Sequence, residues 1–121
     1  MPAFVPSAAT LLQAAADDLE RDVLPALAGF PRFRTRVIVN VLRLLTRELA
    51  LGDAADAAEQ ARLQALLDSG SDDLPALRAE LARRIEAGSF DLADEALLQH
   101  LRESLRDALA IDNPAWTRRR A

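Results

Sequence analysis

Arg36, Asn40, Arg43 and Arg47 recur at spacings of three and four residues, and Arg32 continues the same row. At about 100° per residue these positions form one narrow polar stripe along a helix. Guanidinium forks match phosphate and carboxylate groups bidentately, so the stripe could receive an anion. Equally, it could pair with Asp and Glu of neighbouring helices or of a second subunit, and that pairing is the expected outcome. All fifteen basic residues of the chain are Arg and none is Lys, so the presence of Arg at these positions is not a choice made site by site. Asn40 stands among Val37, Val39, Val41 and Leu44 and is expected to be at least partly buried, with hydrogen-bond partners. Glu48 projects about 120° from Arg36, inside the apolar arc, where a carboxylate is costly unless an Arg partners it. Arg36, Asn40, Arg43, Arg47 and Glu48 are therefore the candidate ligand-binding set.

Other catalytic chemistry is thinly supplied. His100 is the only histidine, and Cys, Tyr and Lys are absent. Disulfides, thiolate metal sites and a cysteine nucleophile are excluded. His100 lies at the edge of an apolar stripe, where a partly buried or surface imidazole is the ordinary outcome. His100 and Glu103 share a helix face at i, i+3, but a metal would need further ligands that no motif supplies. The carboxylates Asp17, Asp18, Glu20 and Asp22 fall opposite Leu12, Leu19 and Val23, a side where charge is normally solvated. No catalytic residue, metal site or cofactor is assigned, and the chain is expected not to be an enzyme.

The elements that must position these residues are helical throughout. Ser7 reads as an N-cap for a helix that continues to about Leu24, and Pro25 ends or kinks it. The segment Pro25 to Pro31 turns the chain. A central second helix is then expected to run from near Pro31 to Gly52, which reads as a left-handed cap, with Val37, Ile38, Val41, Leu42, Leu44, Leu45 and Leu49 on the side away from the stripe. Asp53 caps a third helix to about Leu67, which has the weakest apolar face. A fourth helix opens near Pro75 and ends at Gly88; a fifth, capped by Asp91 or Asp94, carries Leu97, Leu98, Leu101, Leu105 and Leu109. The expectation is an all-α protein, a compact bundle of five helices around a central second helix, with a single domain over residues 1–116 and a disordered tail over 117–121.

Length and composition agree with this outline. The chain has 121 residues, 50% hydrophobic and 28% charged, enough for one core. Its net charge of −4 argues against nucleic acid, which requires a basic face. No apolar run approaches the length of a membrane span, and the opening residues lack the positive lead of a signal peptide, so a cytoplasmic protein without a membrane or nucleic-acid partner is expected.

Four segments together resemble an uncharacterised family of small bacterial helical domains. They are Pro6-Ser7-Ala8, Val23-Leu24-Pro25-Ala26-Leu27, the stretch Arg36 to Leu51 with Asn40 and Arg47-Glu48, and the ending Leu109-Ala110-Ile111-Asp112-Asn113-Pro114. Where the family tends to close with a tyrosine-like aromatic, this chain has Trp116. The resemblance implies no catalytic motif. It implies an association with aminoglycoside-phosphotransferase-like proteins and acyl-CoA dehydrogenases, hence an accessory partner of a kinase-like enzyme in acyl-CoA metabolism. The expectation is accordingly a non-enzymatic interaction module that forms homo-oligomers or docks on a phosphotransferase-like protein; the alternative is a small anionic or CoA-like ligand held by the Arg/Asn stripe.

Overall fold

The computed structural model describes residues 5–118. Among them the chain is all-α, with five α-helices and no strand: α1 (Ala8–Asp18), α2 (Gly29–Leu67), α3 (Leu74–Glu86), α4 (Glu95–Asp112) and α5 (Pro114–Arg118). Contacts divide the chain into two compact units, Met1–Gly52 and Asp53–Ala121.

In the first unit, the Ser7 hydroxyl accepts from the Thr10 N–H at 3.2 Å and opens α1 as expected. One π-helical turn, Leu19–Val23, and one 3₁₀ turn, Leu24–Ala26, follow. Pro25 has no N–H and its ring clashes with the carbonyl four residues back, so the α-ladder cannot pass through it. The Leu24 N–H instead reaches back five residues to the Leu19 carbonyl. Gly29, at φ +63°, supplies the left-handed backbone from which α2 starts. Ala16, Leu24 and Val39 are the buried apolar residues among the described residues of this unit.

Gly52 does not stop α2. Its backbone stays helical, and Ala54, Ala55, Ala57 and Ala58 carry the ladder on with the highest helix propensity available. The expected second and third helices are one element of 39 residues. The left-handed cap falls at Asp68, φ 51°, where the Ser69 N–H closes on the Gln64 carbonyl at 3.0 Å in a Schellman arrangement.

In the second unit, Leu63, Leu67, Leu77, Leu81 and Leu97 form the core, with Leu66, Leu74 and Phe90 packed against it. The segment expected to pack weakest thus supplies two of its most buried residues, because two close-spaced leucines need no long stripe when α3 and α4 both meet them. Asp73 and Asp94 cap α3 and α4, and Gly88 at φ +74° ends α3 as expected. Arg78 holds Glu59 in a fork at 2.8 and 2.6 Å, tying α3 to α2. Thr117 and Arg118, expected in a frayed tail, belong to α5; residues 119–121 of that tail lie outside the described residues.

A continuous helix at Gly52 makes a sharp expectation. A Cβ there would meet only the mobile end of Glu48, whose Oε1 lies 2.7 Å from the added atom. Gly52→Ala should therefore raise stability by about 1 kcal/mol in thermal or urea denaturation, the ordinary helix-interior gain. A left-handed Gly52 would give a loss instead.

Candidate functional site

Within the first unit α2 has two unlike sides. On one side lies Val39, fully buried. Beside it, Arg36 Nη1 donates to Glu20 Oε2 at 2.8 Å, and Arg43 spans Asp17 Oδ1 at 3.0 Å and Glu20 Oε1 at 3.2 Å. The acidic group near the end of α1 is thus not merely solvated: Asp17 and Glu20 take the stripe, while Asp18 and Asp22 take Arg21 at 3.6 and 3.1 Å. The Arg36 and Arg43 pairs are partly exposed, so each contributes well under about 1 kcal/mol; their geometric effect is to seat α2 by its polar edge. Arg47 is half-buried on the same edge. Asn40 is exposed rather than buried, since none of the described residues of this unit covers the margin between the stripe and the apolar side. Glu48 is exposed too, and its carboxylate folds over Gly52 rather than joining an Arg.

The opposite side of α2 is apolar and, among the described residues, uncovered. Phe30 (68% exposed), Phe33, Val37, Ile38, Val41, Leu45 and Leu49 (56%) all face solvent. The two rings stack with centroids 6.3 Å apart, and the Arg34 guanidinium lies 5.7 Å over the Phe30 ring. From these exposures the patch measures on the order of 600 Å², the upper end for the largest apolar patch of a monomer. The sequence carried its signal, an apolar arc wider than one neighbouring helix can cover, but the arc was expected to be wrapped.

His100 is not isolated on the surface. It is buried in the second unit, where Arg62 Nε donates to its Nδ1 at 3.2 Å while the same guanidinium reaches Ser104 Oγ at 3.1 Å and Glu103 at 3.2 Å. An imidazole that accepts from Arg is neutral, with its proton on Nε2. Burial, and then the Arg62 charge, hold its pKa below the ordinary 6.5, against a smaller opposing pull from Glu59 and Glu103. Arg62 was not singled out in the sequence because nothing local links it to a residue 38 positions away.

Also in the second unit, α4 and α5 flank an open cleft of about 710 Å³ lined by Arg102, Leu105, Arg106, Leu109, Trp116 and Thr117. Among the described residues no group of three His, Cys, Asp or Glu side chains could hold a metal, and no helix is long and apolar enough to cross a membrane.

These features define an all-α protein in which two arginines of the stripe are engaged in internal pairs and the long helix bares an apolar side. The chain belongs to the family described as a domain of unknown function, DUF6285, which it matches over residues 25–116. The match includes the stripe, the apolar side and the cleft except Thr117; Pro6-Ser7-Ala8 and α1 precede it. No curated protein and no solved structure matches the chain.

His100 sets a pH expectation. Because folding favours its neutral form, the unfolded chain binds more protons, and stability should fall as pH drops below 6.5. The carboxylates that the fold favours, Glu59 and Glu80, lose their contribution only around and below their ordinary 4.5. Urea denaturation between pH 7.5 and 5 should therefore show a slope that His100→Gln flattens; an unchanged slope would remove His100 from the account.

Proposed function

We propose that the protein is a non-enzymatic interaction module that works through the uncovered side of α2. The observation that carries this is the row from Phe30 to Leu49, whose large apolar side chains are 42% to 68% exposed on a helix whose other side is seated by ion pairs. An apolar patch of that size on a surface marks a binding partner more often than a free monomer. The occupant is a helical surface, either a second copy or a phosphotransferase-like protein of the kind that the family resemblance implies.

Val41→Glu tests this. Val41 is 47% exposed, so the isolated chain should keep its stability to within roughly 0.5 kcal/mol. Concentration-dependent association in sedimentation velocity, or co-purification with a phosphotransferase-like neighbour, should be lost. A wild-type chain that stays monomeric at every concentration and retains no such protein would end this reading.

The small-anion reading finds a second location. Anions at the stripe would have to displace Glu20 and Asp17, whereas Arg102 and Arg106, beside the cleft, have no carboxylate within ion-pair distance among the described residues. Two guanidiniums next to Leu105, Leu109 and Trp116 suit an amphipathic anion such as an acyl-CoA. Trp116 is the only Trp, so its fluorescence reports this cleft alone. Titration with a long-chain acyl-CoA should shift its emission, and Arg106→Glu should weaken that binding at least about tenfold, as loss of a charge-assisted contact implies; no shift at micellar-free concentrations would set the cleft aside.

A further inference from the structure

We propose that the uncovered side of α2 closes on a second copy of this chain, antiparallel, with a two-fold axis beside Val41, so that Arg34 of each copy meets the partner's Glu48. The proposal rests on the interaction reading above and names its occupant and register.

Two charged residues interrupt the apolar side, and their placement carries the inference. Arg34 lies seven residues before Val41 and Glu48 seven residues after it. Seven residues return a helix to nearly the same heading, so Arg34, Val41 and Glu48 fall within about 40° of one another, on the midline of the exposed arc. Among the described residues neither charge has an ion-pair partner: Arg34 rests on the Phe30 ring, and Glu48 folds over Gly52. Both sit on an apolar side where an unpaired charge becomes costly once the side is covered.

A two-fold axis through Val41 resolves both. Residues whose numbers sum to 82 then lie level with each other, so Phe33 is level with the partner's Leu49, Val37 with the partner's Leu45, and Val41 meets its own copy. Arg34 falls opposite the partner's Glu48, twice per dimer. From Phe33 to Leu49 each apolar residue of the row is level with another apolar residue, Ile38 with the partner's Leu44; Phe30 is level with the partner's Gly52, and each charge faces its opposite. A parallel pair in register would set Arg34 against Arg34 and Glu48 against Glu48, which like-charge repulsion opposes. An isologous contact of this kind is the commonest form of closed assembly. Two patches together offer on the order of 1,200 Å², the lower bound of a standard stable interface, before polar rims are counted.

The test uses the full chain, which contains no Cys. Sedimentation velocity should show a wild-type dimer. Arg34→Glu and Glu48→Arg should each weaken it at least about tenfold, since each places two like-charge pairs in the interface, and the double variant should recover most of the loss. Under mild oxidation Val41→Cys should cross-link rapidly across the axis. Leu49→Cys should not, because its sulfur and the partner's lie eight residues from the axis on opposite sides, roughly 24 Å apart at 1.5 Å per residue. A dimer indifferent to both swaps, or one that links through Leu49→Cys and not Val41→Cys, would overturn the register while leaving the interaction reading in place. A monomeric wild type would overturn the second copy as occupant, and co-purification would then decide the interaction reading separately.

Discussion

Helix α2 carries apolar residues on more of its circumference than α1 can cover, and the arginine pairs decide which part is left over. Arg36 and Arg43 hold Glu20 and Asp17 at 2.8 to 3.2 Å on the edge beside buried Val39. Once that edge is seated, the row from Phe30 to Leu49 must point away from α1. The ion pairs are individually weak, since their side chains stay 31% to 48% exposed, so they do little for stability. They act instead as a rotational stop. The same pairs that remove the stripe from solvent-facing chemistry thereby create the apolar side that the protein presents.

The second unit solves its polar problem differently. Its buried imidazole accepts from Arg62, and Arg62 also reaches Ser104 and Glu103, so one guanidinium satisfies three elements of a polar cluster. This arrangement explains how the sole histidine can lie 4% exposed with its polar nitrogen satisfied. Its pKa is held below the ordinary value by burial first and by the Arg62 cation second, which keeps the imidazole neutral inside the cluster.

Several features of the fold were legible in residues alone. Ser7, Asp73, Asp94 and Gly88 mark helix ends by local hydrogen bonding and backbone freedom, which depend on near neighbours in the chain. Gly52 misled because a glycine followed by aspartate looks like an end; four alanines in the next turn outweigh it. Asn40 and Glu48 misled for another reason. Their neighbours in sequence are apolar, and burial was inferred from composition of the helix, whereas burial depends on whether another element arrives.

The amino-acid sequence by itself determined the helical class, most of the caps, the Arg stripe and the width of the apolar arc, since all of these follow from spacing along one helix. Membership in the family follows from the order of residues as well. Tertiary structure alone decided which side of α2 is packed, that Asp17 and Glu20 answer the stripe, and that Arg62 answers His100, because these pairings join residues 16 to 38 positions apart. Periodicity states which residues share a side of a helix. Only the position of other chain segments states whether that side is covered, and here the most apolar side of the longest helix is the one left open.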